Sequence, residues 1–258
     1  MTIPGRTAAT GKVPMDPVRR TALWAGVLYL ITFASSIPAA FFFLDPVLND
    51  PNYILGPGAD TRVITGGLLD MVNAFACIGT AVVLFPLLKR QNEAVALGFV
   101  TSRLLEAAII SVGVVSLLGV VALRQDLGGA AAADDAALTT VGTALVAVRD
   151  YTFHLGPGVM AGVNALLLGS LMYRSGLVPR AIPLMGLIGA PLLLASLTGV
   201  VFGTHDLDAG LHVIAAAPIA LWELSLGVHL VAKGFKPSTL TARAVPPPQR
   251  PEMSPAWH

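Results

Sequence analysis

Gly98-Phe99-Val100-Thr101-Ser102-Arg103-Leu104-Leu105-Glu106-Ala107-Ala108-Ile109-Ile110-Ser111 decides how the whole chain is read. An arginine and a glutamate stand three residues apart in a run that is otherwise soluble in lipid. On a helix that spacing brings both side chains onto one face, within pairing reach. Ionised groups in hydrocarbon are costly and need a partner, a cavity or neutralisation. Whatever meets Arg103 and Glu106 has to come from the other apolar stretches.

Those stretches are plentiful. Of 258 residues, 55% are hydrophobic and 12% charged, against about 25% charged in a soluble domain. Six apolar segments follow one another: about 21–44, 63–88, 94–123, 141–173, 181–202 and 211–232. Each is long enough for a hydrocarbon core about 30 Å thick, which takes roughly 20 helical residues. The fold class is therefore all-α: a polytopic membrane protein built as a bundle of six transmembrane helices. A cleaved leader is the alternative for the first segment, but about 24 apolar residues exceed the roughly 7–15 of a signal core. Residues 1–18 and 236–258, rich in Pro, Gly and Lys/Arg, read as unpacked tails flanking a membrane domain over 19–235. Gly156-Pro157-Gly158, Pro191 and Pro218 mark expected kinks.

Net charge is only +1, which points to no nucleic acid, but its distribution is informative. Six spans put both ends of the chain on one side, and twelve of the sixteen Lys and Arg fall there: in the two tails and at Arg19-Arg20, Lys89-Arg90, Arg174, Arg180, Lys233 and Lys236. Across the membrane lie only Arg62 and Arg124, among many aspartates. The positive-inside rule places both termini in the cytoplasm. Gly158/Gly162 and Gly199/Gly203 have the spacing that lets helices approach closely, within one chain or between copies of a homo-oligomer.

Depth can be reckoned at about 1.5 Å per residue. Asn73, Glu106, His154 and Glu223 then converge near the midplane from four segments, with Arg103 slightly nearer the termini. Asp70, Arg149 and Asp150 fall in the far half. Asp70, Asn73 and Cys77 share one stripe of their helix, and Asp150 and His154 share another. Arg149 is expected to point away and reach for the surface. The candidate intramembrane cluster is thus Asp70, Asn73, Arg103, Glu106, Asp150, His154 and Glu223. Four carboxylates face two guanidiniums, so the surplus calls for protons, water or a bound cation.

Catalytic motifs are absent: there is no H-E-x-x-H, G-x-S-x-G, Walker loop or C-x-x-C, and Cys77 is alone. No catalytic, cofactor or metal residue is assigned. His205, Asp206, Asp208 and His212 suggest metal-ligand spacing, but a solvated acidic loop describes them better. Three readings of the cluster remain open: a buried pair that fixes helix register in a structural or accessory subunit, a site for a small solute, proton or cation, and an intramembrane enzyme. The lipid bilayer is the one partner the composition demands.

Four stretches in order carry a family resemblance: Ala25-Gly26-Val27-Leu28-Tyr29-Leu30; Arg103-Leu104-Leu105-Glu106-Ala107-Ala108; Arg174-Ser175-Gly176-Leu177-Val178-Pro179-Arg180; and Trp222-Glu223-Leu224 running to Lys233-Gly234-Phe235-Lys236. The set resembles the bacterial membrane proteins grouped as domain of unknown function 4386, over about residues 16–237. The resemblance implies a multi-pass protein of a bacterial cytoplasmic membrane and no established activity. His229 stands where the family pattern leads one to expect an aromatic residue.

Overall fold

The computed structural model describes residues 15–56, 58–127, 134–206 and 210–242. Among them every regular element is helical, because backbone polar groups in lipid must be satisfied within the segment that carries them. In chain order these are α1 (Pro17–Pro38), α2 (Asp45–Asn49), α3 (Asp60–Leu88), α4 (Glu93–Leu127), α5 (Asp135–Phe153), α6 (Ala161–Ser175), α7 (Ala181–Val201), α8 (Gly210–Ala232) and α9 (Thr239–Ala242). Six continuous helical stretches are long and apolar enough to cross a membrane: α1, α3, α4, α5 with α6, α7, and α8.

Local chemistry explains where they start and bend. Asp16 caps α1, its carboxylate accepting from the Val18 amide, with Pro17 in the first turn. Asp134 caps α5, accepting from the amides of Ala136 and Ala137. Helix α1 widens after Pro38 into a π-turn over Ala39–Phe43, where the Leu44 amide reaches back five residues to the Ala39 carbonyl at 2.9 Å. The kink expected at Gly156-Pro157-Gly158 is likewise a π-turn, His154–Met160, which joins α5 to α6 without breaking the span. Gly176 ends α6 at φ 64°, a left-handed conformation that glycine adopts without strain.

The spans close into a ring. Helix α1 packs on α3, α3 on α4, α4 on both α5 and α6, α6 on α7, α7 on α8, and α8 back on α1. The closing seam is tight: a Cβ on Gly26 would lie 2.7 Å from the carbonyl oxygen of Gly227. Arg19 reinforces it by donating to the carbonyls of Leu230 at 2.9 Å and Val231 at 2.6 Å, which ties the start of α1 to the end of α8. Gly158 and Gly162 face Leu197 and Leu194 of α7, so this small-residue pair serves packing within the chain.

Polarity is inverted relative to a soluble protein. Leu68, Phe75, Val115, Leu184 and Val228 are exposed around the outside, while Asp70, Asn73, Arg103, Glu106, Arg149 and Asn164 are buried. Toward the termini the ring is filled by a dry apolar core that includes Leu84, Leu88, Phe99, Met172, Trp222 and Leu226. At the opposite end Asp60 organises α3, α4 and the α2–α3 loop. It pairs with Arg124 and accepts from Tyr53 and Gln125, each at 2.9 Å. Burial, followed by the hydrogen bond to that carboxylate, pushes the Tyr53 phenol well above its ordinary pKa.

One boundary differs from the sequence reading. The chain beyond Lys233 is not unpacked as far as residue 242: the Lys236 amide donates to the Leu177 carbonyl at 2.7 Å, and Leu240 of α9 joins the apolar core. The prolines of this tail begin in earnest only after Ala242, so their composition masks a single apolar anchor ahead of them. Residues 1–14, 128–133 and 243–258 and Asp208 lie outside the described residues.

Candidate functional site

Arg103 sits at the centre of the bundle, 2% exposed, because α4 contacts α3, α5 and α6 and its polar face turns inward. One guanidinium nitrogen donates to Glu106 Oε2 at 2.9 Å and lies 3.5 Å from Cys77 Sγ. The other donates to Glu223 Oε1 at 2.6 Å and to the Tyr29 hydroxyl at 3.1 Å. Glu106 and Glu223 therefore share the one arginine. Tyr29 and Phe99 also present their rings to the guanidinium, at 5.2 and 5.8 Å. Glu106 Oε2 takes a second bond from Asn164 Nδ2 at 2.8 Å.

A second pair lies beside the first. Arg149 Nη2 donates to Asp70 Oδ2 at 3.2 Å, and both residues are buried. The expectation that Arg149 reaches for the surface is wrong. Arg149, not Asp150, turns inward from α5, held by Asp70 and by the Phe153 ring at 5.0 Å. Asp150 is exposed and is not among the residues that line the cavity shared by the other candidates.

These groups open onto a cavity of about 290 Å³ inside the ring. Asp70, Asn73, Arg103, Glu106, His154 and Glu223 all line it, and Arg149 and His212 join them. Its lining runs from Cys77 and Glu223 at mid-bundle to Phe41 and His212 near the end opposite the termini. Beneath it lies the dry core around Trp222 and Leu226. Near the mouth, Ser196 Oγ is 2.9 Å from His205 Nε2 and 3.1 Å from His212 Nδ1. The Thr204 hydroxyl donates to the Gly199 carbonyl, so it accepts from His205 Nδ1–H. With His205 neutral, Ser196 must donate to His205 Nε2 and accept from His212 Nδ1–H, which leaves His212 Nε2 as that ring's free nitrogen. The solvated-loop reading thus gives way for His205 and His212, which are joined through Ser196; Asp206 remains exposed. His154 donates Nδ1–H to the Asp150 carbonyl at 2.6 Å.

Sequence reasoning missed Tyr29 and Asn164 as partners. Each lies in an apolar helix, where a polar group needs an interior partner. The Arg149–Asp70 pair was hidden by adjacency, since Arg149 and Asp150 point to different sides and either could have turned inward.

The fold and this site define a polytopic membrane protein with charged side chains around an internal cavity. Residues 24–234 match the family model described as a domain of unknown function (DUF4386), and the chain belongs to that family. Nothing among curated proteins and nothing among solved structures matches it.

Proposed function

We propose that the protein binds a small solute, proton or cation in the cavity, as a transport or ligand-binding protein of a bacterial cytoplasmic membrane with both termini cytoplasmic. The distribution of Lys and Arg supports that orientation. One observation carries the functional reading: the Arg103 cluster is not sealed. Glu223 retains 16% side-chain exposure and borders an internal space. A pair serving only to fix helix register gains nothing from a cavity, whose lining loses packing contacts. An enzyme reading has less support, because no nucleophile is matched to a base among these groups.

Glu223→Cys in a Cys77→Ser background tests the proposal. A small, positively charged thiol reagent should modify it in folded protein from the side opposite the termini. Complete protection, with the fold intact, refutes an accessible site and favours the structural or accessory subunit.

A further inference from the structure

We infer that the occupant of this cavity is a small organic ammonium ion, with its nitrogen at the carboxylates and a short apolar body toward the mouth. This rests on the reading of the cavity as a binding site and names the class of ligand it takes.

Charge comes first. Asp70, Glu106 and Glu223 line the cavity with Arg103 and Arg149, so with the three carboxylates ionised and His154 and His212 neutral the lining carries one excess negative charge. A monocation balances it and an anion does not. Hydrogen bonding has the same sense. Glu106 Oε1, Glu223 Oε2 and Asp70 Oδ1 accept nothing from described residues, and none of them is sealed from solvent. These three oxygens are open acceptors, and a primary ammonium offers three donors.

The walls decide what kind of cation. Ile110 stands one turn from Glu106 on α4, and Ile219 one turn from Glu223 on α8. Helix α4 rises toward the mouth and α8 descends from it, so both isoleucines sit on the mouth side of their carboxylates. Phe33, Ile37 and Leu197 continue this apolar neck. A calcium ion takes six to eight oxygens at about 2.3–2.6 Å, and magnesium needs a near-ideal octahedron of them. Among the described residues no three His, Cys, Asp or Glu side chains lie close enough to hold one. A proton would neutralise the charge and leave the neck empty. An alkylammonium ion satisfies charge, acceptors and apolar wall together, and the cavity of about 290 Å³ suits a small one, since ligand sites span roughly 300–1,000 Å³.

The test is calorimetric titration of the purified full-length protein in lipid nanodiscs with butylammonium chloride. Sodium chloride, sodium butyrate and butanol serve as comparisons at matched ionic strength. Butylammonium should bind saturably and the other three should not. Glu223→Gln, which leaves Arg103 paired with Glu106, should weaken binding about tenfold or more, the effect of losing one charge-assisted hydrogen bond. Ala216→Phe, which fills the cavity and keeps every charge, should abolish it. Equal binding of butanol or butyrate overturns the inference, because the charge is then not selected. Sodium or proton uptake at the carboxylates without butylammonium binding overturns it too and leaves the cavity reading standing. If no solute, ion or pH change is felt at Glu106 or Glu223, both fall.

Discussion

Replacing Arg103 with alanine should destabilise the bundle by about 4–5 kcal/mol at pH 7, and much of that loss should vanish on acidification. The guanidinium holds two carboxylates, Glu106 and Glu223, with side-chain exposures of 6% and 16%. Once it is gone, Glu223 can hydrate through the cavity, whereas Glu106 keeps only Asn164. The cost of a stranded carboxylate is bounded by the cost of protonating it. From an ordinary glutamate value of about 4.3, that is about 3.7 kcal/mol at pH 7 and about 1 kcal/mol at pH 5. The lost bond to Tyr29 adds about 1 kcal/mol at either pH. The sign follows from linkage: if the mutant's folded state keeps Glu106 protonated while the unfolded state releases the proton, the deficit grows as pH rises. Equilibrium unfolding in mixed micelles, read by tryptophan fluorescence at pH 5 and 7, measures it. Adding Glu106→Gln should restore most of the loss at pH 7 and little at pH 5, and adding Glu223→Gln should restore less. A deficit that does not change with pH, or a double mutant with Glu106→Gln no better than Arg103→Ala, refutes this account of the cluster.

Asp70→Asn strands Arg149, which is 5% exposed, and should cost about 3–5 kcal/mol in the same unfolding assay. Asp70→Leu combined with Arg149→Met should recover much of it; equal loss in both would show that the pair is not coupled. Gly26→Ala drives a methyl against the Gly227 carbonyl, which is backbone and cannot rotate away, so α1 and α8 must part at about 1–3 kcal/mol. An unchanged unfolding midpoint would contradict the tight seam. Cysteines replacing Asp50, Asp60, Asp134 and Asp206 should react with an impermeant thiol reagent applied outside cells, and those replacing Gln91 and Gly176 should not. External labelling at Gln91→Cys would reverse the proposed orientation.

The membrane architecture was legible because it depends on run length. Twenty apolar residues need no partner to be recognised, and α3, α4, α7 and α8 begin within about a turn of their apolar runs. Helix α5 starts at Asp135, six residues before its apolar run, because Asp134 supplies a cap and the polar first turns lie beyond the hydrocarbon. Depth reckoning brings Asn73, Glu106 and Glu223 to one level because rise per residue is fixed on a helix, and all three line the cavity. Azimuth is less well fixed by sequence. Arg149 and Asp150 are about 100° apart on their helix, and only the packing of α5 against α4 decides which one faces Asp70. Asn164 was illegible for a related reason: the π-turn over His154–Met160 resets the phase of α6 relative to α5.

That π-turn also bears on why the charges persist at all. A buried ion pair is often no more stable than apolar residues of the same volume, so stability alone does not account for Arg103 among two acids. The dry core toward the termini shows that this chain can pack an interior without charge: Leu84, Phe99, Trp222 and Leu226 fill the same ring one or two turns away. Polarity begins where the packing stops. The space is bordered by His154, Pro157 and Gly158 of the π-turn and by Ala216 and Ala220 on α8, positions where the helix is distorted or the side chain is small. A chain selected only to hold six helices together would place leucines there, as it does two turns below. The coincidence of small residues, a distorted helix and several carboxylates at one depth is consistent with the proposed ligand site. It is also why filling the space, as Ala216→Phe does, should stabilise the bundle while removing its binding, a trade expected when a cavity is kept for function.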